Sequence, residues 1–373
     1  MTAKSFEVFA DQLSAPCTPE DLAFETTETV SSVEGTVGQD RALAALEFGL
    51  EIVSRGYNLF VAGVPGSGRS TTAFSHVQRQ AQRQPTPDDW CYVHNFQDPY
   101  RPRSLRIASG SGPALAKDMD GLIDRAKRDL PQAFDSEAYQ QQRQRITGEF
   151  ERQRAALFEA LEHQANALGF AIQLGPAGIM TIPMLEGKPL TPDEFQALPQ
   201  EERHAMRERG ETLNEPMMDT MRQVHEAEHH TAEQLQELDR QTALFAVGHL
   251  VDDLIAKYGQ YPEVATYLEA VRDDMVQHLE RFRGEAQQQA LFPGGPPAPM
   301  DDPFGLYRIN VLVSHDGASG APVVCERNPT YYNLVGRVDY RPAFGTMSTD
   351  FRMIKAGALH RATTSSLKPT TCC

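Results

Sequence analysis

Apolar residues recur along this chain in several distinct rhythms, and each predicts a different kind of element. From Gly38 onward, "VGQDRALAALEFGLEI" places Leu43, Leu46 and Leu50, with neighbouring alanines, on one face of a helix. Tyr57–Ala62 is instead a largely apolar run, the composition of a strand buried on both faces of a parallel sheet. A helix is expected over Ser70–Gln84 and a second strand over Trp90–Phe96, so residues 57–96 read as a βαβ unit.

The middle of the chain follows longer repeats. Tyr139, Ile146, Phe150, Leu157, Leu161 and Leu168 step by 7, 4, 7, 4 and 7 residues, an 11-residue repeat that predicts a nearly straight helical stripe. Met217, Met221, Val224, Glu228, Thr231, Leu235, Leu238, Thr242 and Phe245 alternate steps of 4 and 3, a heptad seam with polar interruptions. Between them, "GPAGIMTIPMLEGKPLTPDEF" reads as a tip with a short hairpin. The simplest arrangement is an antiparallel helical hairpin, closed by a third helix from about Glu263 to Phe282. Proline then makes Leu291–Pro303 a linker. Beyond it, Leu306–Val313 alternates like a strand and "APVVCE" is a second candidate, while the aromatic and glycine-rich run 331–354 reads as an ordered functional loop.

Charge sharpens these boundaries. The formal net charge is −16, which argues against generic nucleic-acid binding. Residues 111–290 carry 18 basic against 32 acidic side chains, a net of −14, so the acidity belongs to one Gln-rich inserted module. The segmentation that follows is a lead-in over 1–30, a first α/β segment over 31–110 and the acidic helical insertion over 111–290. The linker 291–303, a return segment over 304–362 and a tail over 363–373 complete it. Neither a run of eighteen apolar residues nor an apolar leader is present, so no membrane partner is expected. The five cysteines form no zinc or disulfide framework, which points to a reducing cytoplasm.

The candidate chemistry sits in "YNLFVAGVPGSGRSTTAF". Gly63, Gly68 and Ser70 have phosphate-loop spacing, but Arg69 stands where that pattern has lysine. Arginine keeps the positive charge while replacing a compact ammonium with a planar fork. The residues alone leave two alternatives open, a decayed ATPase or a family that tolerates arginine here.

The blocks "VGQDRALAALEFGLEI", "GYNLFVAGVPGSGRS", "YVHNFQDPYRPRSL", "NPTYYNLVGRVDY" and "GTMSTDFRMIKAGALHRA" resemble, in this order, the Lon-like (LonB-type) ATP-dependent proteases with a long helical insertion in the AAA+ module. The resemblance covers roughly residues 15–361, and in that subgroup the phosphate loop often ends in Gly-Arg. It implies an α/β fold, part of an AAA+ P-loop NTPase with a large inserted helical hairpin or coiled coil. It also implies ATP and Mg²⁺ as cofactors. Val37 and Gly38 would lie against adenine, and Gly63, Val64, Pro65, Gly66, Ser67, Gly68, Arg69, Ser70 and Thr71 would surround the phosphates, with the Ser70 hydroxyl on Mg²⁺. Protein substrates and a homo-oligomer, a hexamer in the family, are the implied partners, and 331–354 falls where relatives place a substrate-contacting loop.

The family pattern continues after "GALHRA" with Walker B, sensors and a Ser–Lys proteolytic domain, whereas "TTSSLKPTTCC" follows here. The expectation is therefore a chain truncated before Walker B and inactive by itself, with no residue assigned a catalytic role. Two other classes compete with this reading. One is a non-enzymatic helical interaction module that responds to nucleotide. The other is a zinc peptidase, because "HEAEH" (His225–His229) matches H-E-x-x-H. His225 and His229 fall off the apolar seam with no third ligand, so a solvated cluster is the expected state. The Met217–Met218–Met221 group reads as hairpin core rather than a soft binding surface.

Overall fold

Leu115, Met119, Leu122, Ile123, Ala126 and Leu130 recur at helical spacing and are all buried, so the stretch after Gly110 folds as one long amphipathic helix. The structure, a computed structural model, describes residues 9–14, 17–32, 36–52, 54, 56–175, 178–185, 187–282, 302–343 and 346–362. It divides into two units. The first comprises 1–85 with 319–323, and the second 86–318 with 324–373.

In the first unit, helix α1 (Asp40–Glu51) and helix α2 (Arg69–Gln82) form where the apolar spacing predicts them. Leu46 is buried, and His76 of α2 reaches Glu47 of α1 at 3.5 Å. The segment 57–62 departs from expectation. It is not a strand, and Phe60 is 95% exposed, with Tyr57, Leu59 and Val61 also exposed. A strand needs a partner for its backbone donors and acceptors, and no strand of the described residues pairs with this one. The expected βαβ unit is therefore absent.

The second strand of that expected unit pairs elsewhere. Strand β1 (Asp89–Val93) is the centre of an antiparallel sheet, flanked by β2 (Arg103–Ile107) and β6 (Asn310–Val313). Cys91 opposes Leu105 on one side and Val311 on the other. Closing the short β1–β2 connection costs little chain entropy, unlike a long crossover to a parallel neighbour. The strand expected over Leu306–Val313 shortens to β6, because Gly305–Tyr307 is a 3₁₀ turn, and "APVVCE" forms no strand.

Helix α3 (Ser111–Phe134) packs on this sheet and ends where Ser136 caps helix α4 (Glu137–Ala167), accepting from the Tyr139 amide. At the tip, β3 (Phe170–Gly175), β4 (Gly178–Leu185) and β5 (Lys188–Pro189) form an antiparallel meander, extending the expected hairpin by one short strand. Helices α5 (Pro192–Ala197) and α6 (Gln200–Glu211) lead into α7 (Asn214–Tyr258), whose 45 residues span about 67 Å at 1.5 Å per residue. Helix α8 (Pro262–Gln277) folds back after the Pro262 start.

The stripe on α4 follows the 11-residue repeat. Tyr139, Ile146 and Leu161 are buried, and Phe150, Leu157 and Leu168 are half-buried. The seam on α7 differs from the heptad drawn through Met221, Glu228 and Phe245, all three of which are exposed. The buried positions are Thr220, Ala227, Ala243, Ala246, Val247, Gly248, Leu250, Val251 and Tyr258. Small side chains let the helices approach, and they carry too little hydrophobicity to stand out in the sequence. Of the methionine group, only Met217 packs into a core, while Met218 and Met221 are exposed.

One principal core joins Cys91, Val93, Leu105 and Ile107 of the sheet to α3, α7 and α8, with Tyr307 beside β6. The insertion is thus not a self-contained bundle, since strand residues complete its core. A small second core, Ala165, Phe170 and Leu213, closes the tip. Most of the expected linker and the whole tail 363–373 lie outside the described residues.

These placements predict the order of mutational damage. Leu105→Ala, at a side chain with no exposure, lowers the main urea-unfolding transition by about 2–5 kcal/mol. Phe245→Ser, at an exposed position of α7, changes it by less than about 0.5 kcal/mol. Limited proteolysis leaves a protected core that begins near residue 86, because β1 and β2 share its interior. A core beginning instead at residue 111, without the strands, would overturn this account.

Candidate functional site

The glycine loop is shaped by residues that other side chains replace poorly. Gly66 and Gly68 have φ of 83° and 77°, the left-handed region that favours glycine. Gly68 is the residue from which α2 starts, so the chain turns sharply and presents the first amides of the helix toward the loop. Ser67 closes the turn by donating its hydroxyl to the Val64 carbonyl at 2.8 Å, and Thr72 N–H bonds back to Gly68 O at 2.8 Å. First-turn amides have no intrahelical acceptor and carry the positive end of the helix dipole, which suits an anion.

Arg69 folds back across this loop, its guanidinium donating to the Gly63 carbonyl. Behind the loop lies a cleft of about 470 Å³, within the size range of small-molecule sites. Its apolar walls are Leu43 and Leu46 of α1 with Leu59 and Val61, and Thr36, Gln39 and Thr72 supply polar atoms. Thr36 and Thr72 share a hydroxyl–hydroxyl hydrogen bond across it.

The structure brings only some of the sequence candidates to this cleft. Gly63, Val64, Ser67 and Arg69 line it. Pro65, Gly66 and Gly68 form the turn, and Ser70 and Thr71 follow in the first turn of α2, none of them on the lining. Val37 is exposed, and neither it nor Gly38 lines the cleft. Thr36 and Gln39, immediately on either side, do so instead. Sequence reasoning missed Thr36, Gln39 and Thr72, whose signal was only their adjacency to the "VGQ" and glycine blocks.

The aromatic return segment forms its own site in the second unit. A short helix, Tyr331–Val335, leads into β7 (Gly336–Val338), which pairs antiparallel with β10 (Ile354–Ala356). Between them β8 (Arg341–Ala343) pairs with β9 (Thr346–Ser348), so the expected loop is largely β-structure. Asn310 anchors the segment by donating to the Phe351 and Ile354 carbonyls at 2.8 and 2.9 Å. A groove of about 610 Å³ is lined by Tyr92, Tyr332, Tyr340, Arg337, Lys355 and His360, among others. Asp339 accepts from Arg337 at 2.9 Å and pairs with Lys355 at 2.7 Å, which holds its carboxyl below the usual range.

Beside this segment, His94 packs edge-on to Phe96 and against Phe351. Its imidazole pKa is lowered, first by burial and also by Arg281, against opposing pulls from Asp274 and Asp350. Asp274 itself accepts from Arg281 at 2.6 Å and from the Tyr307 hydroxyl at 2.7 Å. Burial, then that carboxylate, raises the Tyr307 phenol well above its ordinary value, so it serves as a donor.

Residues 319–367 match the LonB-like AAA domain, and residues 89–122 match the Lon-like LonC helical domain. These two segments are similar to domains of Lon-like proteases. No curated protein matches it. The LonB-like match contains "NPTYYNLVGRVDY" and "GTMSTDFRMIKAGALHRA", and the helical-domain match runs from β1 into α3. Neither includes the glycine loop Gly63–Ser70. The AAA match and the mixed helix and strand content are compatible with an α/β AAA-like fold, and AAA-type domains use nucleotide and Mg²⁺. Lon-like family members act on protein substrates and oligomerise. No helix of the described residues is long and apolar enough to cross a membrane.

Because the folded pKa of His94 is depressed, the unfolded chain binds the extra proton first as pH falls. Stability therefore rises with pH here. It is fully present above the ordinary histidine value of about 6.5 and declines as pH falls toward the folded value. Urea midpoints measured from pH 7.5 down to 5.5, in about half-unit steps, should show this decline, and His94→Gln should flatten it. An unchanged slope in the variant would assign the dependence to other groups.

Proposed function

We propose that this chain is the nucleotide-binding and substrate-handling portion of a Lon-like ATP-dependent protease. The observation that carries the reading is the junction of Gly63–Gly68 with the start of α2, set at the mouth of the apolar cleft. The residues present suit a nucleoside polyphosphate. The first amides of α2 and the Arg69 guanidinium would hold phosphate oxygens, Ser70 would offer its hydroxyl to Mg²⁺, and Leu43, Leu46, Leu59 and Val61 would enclose the base. When bound, ATP and Mg²⁺ supply the phosphoryl chemistry. The chain's own part is to orient the nucleotide and exclude water from one side of it.

Arg69 makes this site different from one built on lysine. To meet a phosphate, its fork releases the Gly63 carbonyl, so part of the binding energy offsets a contact already made. That supports weaker binding than a lysine loop gives. The tyrosine-lined groove of the second unit supports contact with protein substrate, because tyrosine offers a large apolar face with a polar tip. Assembly into a homo-oligomer follows the same family reading. No residue of this sequence is assigned the nucleophile or base of proteolysis.

A second reading, a helical interaction module, draws on the exposed Met218 and Phe245 of α7. Nucleotide titration separates the two. Calorimetry with ATP and Mg²⁺ should detect one site per chain. Gly68→Val, which places a β-branched residue at φ 77°, should weaken it by at least about tenfold, or about 1.4 kcal/mol. Ser70→Ala should remove the Mg²⁺-dependent part of the affinity, and Arg69→Lys should retain or tighten binding. Heat signals equal in wild type and Gly68→Val, or absent from both, would favour the interaction module.

A further inference from the structure

The histidine-rich stretch of α7 has no part in the nucleotide reading, yet its geometry points to a ligand. His225 and His229 are four residues apart and so stand one turn apart on the same helical face. Ala227 between them is buried, whereas the His225 and His229 side chains are 85% and 72% exposed. Each imidazole turns its Nδ1 toward a carboxylate. His225 Nδ1 lies 3.9 Å from Glu228 Oε2, and His229 Nδ1 lies 3.4 Å from Glu233 Oε1. Both are electrostatic approaches rather than hydrogen bonds, and a ring that offers Nδ1 to a carboxylate has Nε2 on its other side for a cation. The same carboxylate–histidine pairing orients metal-ligating histidines.

We propose that His225 and His229 form a two-histidine chelate for a late first-row divalent cation of the Zn²⁺ type, with Glu228 and Glu233 orienting the rings. Imidazole nitrogen is a preferred donor to such ions. Among the described residues no group of three or more His, Cys, Asp or Glu side chains is arranged to hold a metal, so solvent fills the remaining positions. This open, exposed geometry separates the site from the cleft of a zinc peptidase. His230 Nδ1 also lies 3.9 Å from Glu233 Oε2, but five residues separate it from His225, about 140° around the helix, so it stays outside the chelate.

The site's place in the fold suggests its effect. Between Ala227 and Ala243, α7 buries no residue, so that stretch draws little stability from packing. A cation that bridges successive turns binds only the helical state and stabilises it by mass action. Glu226, Glu228 and Glu233 add negative potential that concentrates cations nearby.

The test is a Zn²⁺ titration of the full chain with its thiols alkylated. Alkylation is needed because Cys17 and Cys325 are exposed and Cys372 and Cys373 are further soft ligands. The expected result is one Zn²⁺ per chain in the micromolar range, lost in His225→Ala and in His229→Ala and retained in His230→Ala. Glu233→Gln should weaken binding about tenfold through the ring it orients. Saturating Zn²⁺ should raise the melting temperature of the wild type and not that of His229→Ala. All these side chains are exposed, so metal-free circular dichroism should be the same for every variant, which separates lost binding from lost folding. Binding that survives the His225→Ala/His229→Ala double variant, or that appears only at millimolar Zn²⁺ as an adventitious association, would overturn the proposal. An unchanged affinity in Glu233→Gln would overturn the assigned role of the carboxylate.

Discussion

One buried carboxylate fixes the geometry on which the second unit depends. Asp89 has no exposed surface, yet it stands at the start of β1 and accepts three hydrogen bonds. The donors are the Gly112 amide at 3.0 Å, the His315 amide at 2.8 Å and, more distantly, the Ser314 hydroxyl at 3.5 Å. Gly112 is in the first turn of α3, and Ser314 and His315 follow β6, so one side chain ties a strand start, a helix start and a returning strand. An unpaired buried charge costs several kcal/mol, and charge-assisted bonds together with the helix dipole offset that cost. The contact also favours glycine at 112, because a Cβ there would sit tightly against the Asp89 carboxylate and the Cys91 sulfur. Burial, then the Asp89 charge, pushes the Cys91 thiol up to about 12, so this cysteine is inert packing and not a nucleophile.

His315 extends the same constraint toward the AAA-like segment. Its carbonyl accepts from Ser109 at 3.0 Å, and its Nε2 reaches the Arg361 carbonyl at 3.4 Å, in the short helix Ala358–Arg361. Asn310 makes a parallel connection through the Phe351 and Ile354 carbonyls. The two family matches, 89–122 and 319–367, are therefore joined through β1 and β6 and the polar contacts at their ends.

What the sequence made legible follows from how each element is stabilised. Helices α1, α2, α4 and α8 carry their own periodicity, because each turns one apolar face inward. Helix α3 has the same signal in Leu115, Met119, Leu122 and Ile123, and a reading weighted toward composition passes over it. Strand β2 is short, and Arg103, Ser104 and Arg106 dilute its apolar content, although Leu105 and Ile107 alternate inward. Tyr57–Ala62 fails in the opposite direction. Its apolar content reports a preference for burial, and only a paired neighbour turns that preference into a strand. At the candidate site, glycine spacing exposed the loop, while the cleft depends on Thr36, Gln39 and Thr72, polar residues that converge only once α1 and α2 are in place.

The helical arm shows how a long element can be specified with little burial. Tyr139 donates to Asp239 at 2.6 Å near the principal core, and Ala165 packs with Leu213 at the far end, so α4 and α7 are pinned at both ends. Between those points α4 buries nothing from Ile146 to Leu161 and α7 nothing from Ala227 to Ala243. The stripes there, Phe150 and Leu157 on α4 and Thr231, Leu235 and Leu238 on α7, are only half-buried. Backbone hydrogen bonds within each helix, and pairs such as Arg240 with Glu237, supply the local rigidity that packing does not. Isolated helices gain little from such pairs and depend on tertiary contacts for most of their stability. The arm therefore holds its form because its two ends are fixed by cores. Its middle is the segment on which small added interactions have the greatest leverage.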